Sequence, residues 1–140
     1  MTTSSEERGL LALARLAMDV SIRATAELDG PSPVQLRALT ALRQLGEANL
    51  AQLSDEMGVT VSTTSRLVDR LVGAGWVHRE PAVHNRREIS LTLTQPGRRL
   101  LRQFDDRRVE LLRECLDRVP ADRHDAVVDA LAELAQVTQA

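Results

Sequence analysis

The hydrophobic period of this 140-residue chain shifts after Gly75, and that shift restricts what the chain can fold into. Upstream, apolar residues recur at steps of three and four. Leu10, Leu13, Ala17, Val20, Ala24 and Leu28 share one helix face, and Leu36, Leu39, Leu42 and Leu45 share another. From Glu88 to Thr94 polar and apolar residues instead alternate strictly, the pattern of a half-buried strand, with its partner expected at Trp76 to Arg79. The expected fold is mainly α with a small two- or three-stranded antiparallel β ribbon. Composition agrees, because Trp76 and Phe104 are the only aromatics and a core of Leu, Val and Ala favours helix packed on helix.

Local signals divide the helices. The first runs from Glu6 to about Glu27 and stops at Asp29-Gly30-Pro31-Ser32-Pro33, where two prolines and a glycine cannot continue the ladder. Ser32 then reads as an N-cap, with Pro33 in the first turn and Gln35 completing a capping box, for a helix that Gly46 closes. Asn49 caps a short helix that Gly58 terminates in the left-handed conformation. Thr60 caps the next, about Val61 to Gly73, which buries Thr64, Leu67, Val68, Leu71 and Val72 and turns Ser62, Thr63, Ser65, Arg66, Asp69 and Arg70 outward. Thr94 to Gly97 opens a long helix with Leu100 or Leu101, Phe104, Leu111, Cys115 and Val119 along one stripe. Pro120 breaks it, and Val127, Leu131 and Leu134 mark a last helix.

A short helix, a glycine turn, a helix faced with hydroxyls and arginines, and a ribbon with an arginine-bearing loop make a helix-turn-helix with a wing. Charge supports a nucleic-acid partner: residues 60–99 hold seven arginines against three acids, a net of +4 in a chain of net charge −2. In this motif the second helix enters the major groove. Ser62, Thr63 and Arg66 are the candidates for base edges, and Thr60, Ser65 and Arg70 for phosphates. Arg86 and Arg87 in the loop Glu80 to Arg87 are placed to meet the adjacent minor groove. The first helix and the last two carry apolar stripes that a winged lobe cannot cover, so they bury against each other or a second copy; Leu10, Leu13, Val20, Leu111, Leu112, Leu131 and Leu134 are expected at a homodimer interface, the alternative being that these helices complete a monomeric core. The chain reads as one domain, 1–140, with a DNA-binding lobe at about 33–94 and a helical dimerisation lobe from about 6–29 and 95–138.

With Leu53-Ser54-Asp55-Glu56-Met57-Gly58-Val59, the run Ser62 to Leu71, and Asn85-Arg86-Arg87 followed by Leu93-Thr94 and Gly97, the chain resembles the MarR family of dimeric winged-helix transcription regulators. The resemblance covers nearly the whole length. It implies a homodimer on pseudo-palindromic double-stranded DNA near a promoter, acting mostly as a repressor, with activators on the same scaffold, and released by a small-molecule effector or an oxidant. Where Asn85 stands the family usually has an acid that orients a wing arginine; a neutral carbonyl is roughly half as strong an acceptor. Ser54 and Thr64 replace the family's Ala and Val, so each hydroxyl needs a local backbone acceptor. An effector pocket is expected between the dimer helices and the winged lobe, lined by leucine, alanine and arginine.

Other classes find little support. Cys115 lies on an apolar stripe late in its helix, which favours a buried structural thiol over a redox sensor. His78, His84 and His124 are too scattered for a metal site, and no cofactor motif is present. Cys115 and His124 straddle Pro120 without an oxyanion loop, so no catalytic residue is expected. The N-terminus is neither a signal peptide nor a membrane span, which points to the cytoplasm and to no membrane partner. The alternative to a regulator is a winged helix used only for protein contacts, without DNA specificity.

Overall fold

The computed structural model describes residues 3–137. The polar start at Met1 and the residue-138 end of the expected helical lobe lie outside them. The elements follow as α1 (Ser5–Ala26), α2 (Pro33–Leu45), α3 (Leu50–Met57), α4 (Val61–Gly73), β1 (Val77–Pro81), β2 (Ile89–Leu93), α5 (Gln95–Leu116), one turn of 3-10 helix (Ala121–Arg123) and α6 (His124–Val137). Ser32 and Asn49 each close a capping box, with Gln35 and Gln52, and Thr60 and Thr94 cap α4 and α5 through the N–H groups of Thr63 and Gly97. Such caps satisfy helix N–H groups that have no partner within the helix and contribute about 1 kcal/mol each. A box between Ser4 and Glu7 starts α1 at Ser5, one residue before the expected Glu6. Gly58 ends α3 at φ 66°, a conformation that a Cβ disfavours, and so sets the turn between α3 and α4.

β1 and β2 pair antiparallel with Val77 opposite Leu93 and Pro81 opposite Ile89. The ribbon begins one residue later than expected and ends at Pro81, whose missing N–H suits it to a strand at a sheet edge. Ala48 adds a single bridge to Leu91, with hydrogen bonds of 3.1 and 2.7 Å, a third strand reduced to one residue. One continuous core joins Ala24 of α1, Leu36, Leu39 and Leu42 of α2, Leu53 of α3, Val68 and Leu71 of α4, Leu91 of β2, and Leu101 and Phe104 of α5. The winged elements and the long helices therefore share their packing. Ser54 and Thr64 are buried in it, and their hydroxyls donate to the carbonyls of Val59 (2.8 Å) and Thr60 (2.9 Å), the acceptors that the substitutions require.

The apolar stripes of the chain ends divide between cover and exposure. Val20 and Leu111 are buried within the single chain, where they hold α1 on α5, and are not free interface surface as expected. Leu13 is half-buried, whereas Leu10, Leu112, Leu131 and Leu134 are exposed. No residue of α6 is buried. Cys115, expected inside, is exposed, because the stripe outruns its cover at the C-terminal end of α5.

Ion pairs bind the long helices to the rest. Arg107 of α5 grips Glu27, beyond the end of α1, and Glu110. Arg43 of α2 reaches Asp105 of α5 at 2.7 Å, and Arg108 donates to the same carboxylate. Burial alone would raise the Asp105 carboxyl, but the hydrogen bonds and charges of Arg43 and Arg108 outweigh it and hold the group below its ordinary range. A lowered carboxyl contributes stability that is present above its unfolded value, about 3.9, and is lost as pH falls through its lower folded value. Asp105→Asn is therefore expected to flatten the acid limb of the stability curve below about pH 4 in denaturant titrations. An unchanged acid limb would show that the pair couples α2 to α5 only weakly.

Candidate nucleic-acid interface

α4 owes its two faces to the spacing of its sequence. Thr64, Leu67, Val68 and Leu71 anchor it in the core, Val72 is half-buried, and Ser62, Thr63, Arg66, Asp69 and Arg70 are exposed, with Ser65 half-exposed. The Thr60 hydroxyl accepts from the Thr63 N–H at 3.2 Å and donates to the Thr63 hydroxyl oxygen at 2.9 Å. Its hydrogen is thus committed within the cap, while the hydroxyl hydrogen of Thr63 stays available to an outside acceptor.

The wing loop is shorter than expected, because the Ala82 N–H donates to the Glu88 carbonyl at 2.9 Å and prolongs the ribbon. The Asn85 side-chain carbonyl accepts from the backbone N–H of Arg87 at 3.0 Å, and the Glu88 N–H donates to the Asn85 backbone carbonyl at 3.1 Å. Asn85 shapes the turn itself and orients no arginine side chain. A groove lined by Asn49, Leu50 and Ala51 of the α3 start, Val61 of α4, and Arg87, Glu88 and Ile89 of the wing sets the root of the wing beside the first turn of α4. Among the described residues Arg66, Arg70, Arg86 and Arg87 make no ion pair.

A pairing between α4 and the wing was not legible in the sequence. Arg79 of β1 lies 2.5 Å from Asp69 of α4, which neutralises the only acid on the outer face of that helix and ties helix to wing. The two residues are ten apart, a spacing that no single element's periodicity connects.

A cleft of about 690 Å³ lies between α1, α2 and α5, lined by Met18, Ile22, Arg37, Ala41, Phe104 and Arg108 among others. It contains the expected arginines and one alanine but no leucine. The Arg108 guanidinium sits 4.0 Å from the centre of the Phe104 ring, and Arg37 donates to the Met57 carbonyl at 2.8 Å, at the turn between α3 and α4. One wall of the cleft is thereby joined to the helix-turn-helix.

The family model described as MarR family matches residues 32–89, the segment that builds α2, α3, α4, β1 and the wing loop up to the start of β2. Over those 58 of its 140 residues the chain matches the MarR family. Its members are DNA-binding transcriptional regulators and not enzymes. The crystal structure of RV1404 from Mycobacterium tuberculosis is similar at 32% identity and a TM-score of 0.82, over 97% of this chain and 95% of that one. A MarR family protein from Bacillus stearothermophilus has the same fold, at 23% identity and a TM-score of 0.80, over 100% of this chain and 99% of that one. An HTH-type transcriptional regulator of Bacillus subtilis, YfiV, is 26% identical over 81% of this chain and 70% of its own length. The structural likeness extends the match from the winged segment to the long helices. Among the described residues no helix is long and apolar enough to cross a membrane, and no three His, Cys, Asp or Glu side chains cluster as metal ligands.

Proposed function

We propose that this MarR-family chain is a homodimeric, sequence-specific repressor that binds a pseudo-palindromic operator and is released by a small molecule in the cleft between α1, α2 and α5. The observation that carries the reading is the meeting of the first turn of α4 with the root of the wing, beside four arginines that no acid among the described residues neutralises. In this reading Ser62, Thr63 and Arg66 face base edges, and Ser65, Arg70 and the Thr60 cap hold the phosphate backbone. Arg86 and Arg87 reach the minor groove. Dimerisation follows from α6, which exposes Leu131 and Leu134 and buries nothing, together with exposed Leu10 and Leu112. A two-fold axis sets two α4 helices about 34 Å apart, one turn of DNA. A dimer so placed over a promoter excludes polymerase, which is repression. A ligand seated between Arg37 and Arg108 acts on the helix-turn-helix through the Arg37 bond to Met57. The setting is the cytoplasm.

The test separates reading from holding. Against an operator recovered by selection, Arg66→Ala is expected to cost about 1–3 kcal/mol on that operator and to relax preference at one base pair. Arg86→Ala is expected to weaken binding to all duplexes alike. Parental affinity and selectivity in both variants would contradict the assignment of roles.

A further inference from the structure

α4 carries one exposed large hydrophobic side chain, Val61, which is 50% exposed at the first position of the helix. The first turn of a helix favours proline or an acid there, and valine supplies neither a preset φ nor a charge for the helix dipole. Nor does the core claim it: the inward residues are Thr64, Leu67, Val68 and Leu71. Beside it on the helix are the hydroxyls of Ser62 and Thr63, and it lines the groove at the wing root together with Leu50, Ala51, Arg87 and Ile89. The half of Val61 that this groove leaves exposed, on a surface that meets duplex DNA, finds one apolar partner on the base edges of the major groove, the C5-methyl of thymine.

From this placement, and resting on the proposed DNA-reading role, we infer that Val61 is a specificity-determining residue that reads a thymine methyl in each half-site. Val61 lies on the flank of α4 turned toward the wing, so the thymine lies on the wing side of the base pair that Arg66 contacts. Hydroxyls and guanidinium groups at Ser62, Thr63 and Arg66 distinguish donors from acceptors on base edges, and a valine adds discrimination by shape and hydration. Burying one methyl-sized group is worth about a fourfold change in affinity.

The experiment uses the full-length protein and the operator that it selects, with each thymine of a half-site replaced in turn by deoxyuridine. That replacement removes the methyl and leaves base pairing intact. The wild-type protein is expected to lose about fourfold in affinity at one thymine on the wing side of each half-site. Val61→Ala is expected to bind the thymine and deoxyuridine operators equally, and Val61→Thr, which keeps one methyl, to fall between. Val61 is exposed and alanine is the better helix former, so circular dichroism should show both variants folded. The inference is overturned if no thymine on that side is methyl-sensitive, or if the sensitivity persists undiminished in Val61→Ala. Sequence-selective binding with methyl indifference overturns the Val61 assignment alone, whereas failure of the wild type to bind any duplex removes the DNA-reading role and this inference with it.

Discussion

Gly97→Ala is expected to lower the melting temperature by about 10 °C or more, since of the chain's glycines it is the one whose added Cβ would overlap backbone. Gly97 sits buried in the first turn of α5, where a Cβ would lie 2.2 Å from the Trp76 carbonyl oxygen and 3.1 Å from its carbon. Both are backbone atoms, so no side-chain rotation relieves the overlap. The same joint is held by the Thr94 hydroxyl, which donates to the Gly75 carbonyl at 2.6 Å, and by the Thr94 N–H, which donates to the Trp76 carbonyl at 3.0 Å. To admit a methyl group, α5 must lift from the ribbon, at a cost of about 3 kcal/mol against a total stability of about 5–15 kcal/mol. Gly9→Ala is the contrasting substitution: its Cβ meets nothing within 4 Å in the interior of α1, so it should stabilise by up to about 1 kcal/mol. Thermal unfolding of both variants at one protein concentration checks the pair, and equal melting temperatures would contradict the close approach of α5 to the Trp76 backbone.

Leu131→Asp should convert the proposed dimer to a monomer of 15.4 kDa and cut operator affinity by about 10²–10⁴, because two half-site contacts then no longer act as one ligand. Leu131 is 48% exposed on a helix that buries nothing, so the charge costs the single chain little. Leu111 is unsuited to the same test despite lying on the expected stripe. It is 7% exposed inside the protomer core, and an aspartate there unfolds the chain whether or not it dimerises. Light scattering and operator titration of Leu131→Asp test the dimer without that ambiguity. A dimer mass and parental affinity would place the interface elsewhere.

The contrast between Leu111 and Leu131 marks how far the sequence could be read. Features that depend on neighbours within one turn were legible: the caps at Ser32, Asn49 and Thr60, the left-handed stop at Gly58, and the inward set Thr64, Leu67, Val68 and Leu71. The strand at Ile89–Leu93 was equally plain, since alternation with period two has one interpretation. What periodicity cannot say is which neighbour covers a stripe. Val20 and Leu111 cover each other's helices, Cys115 lies beyond their reach, and among the described residues none of α6 is buried. Pairings between elements were invisible for the same reason: Arg79 with Asp69, Arg43 with Asp105 and Arg37 with the Met57 carbonyl join residues that only the folded chain brings together.

The central claim is that α4 and the wing read duplex DNA as a symmetric pair. Selection of random duplexes by the purified protein, followed by affinity measurements for the winner at two salt concentrations, tests it most directly. The account predicts an inverted repeat with half-site centres about 34 Å apart, and an affinity that falls steeply with salt as arginine contacts to phosphates release counterions. A pool that stays random, with no duplex bound even at low salt, would contradict it.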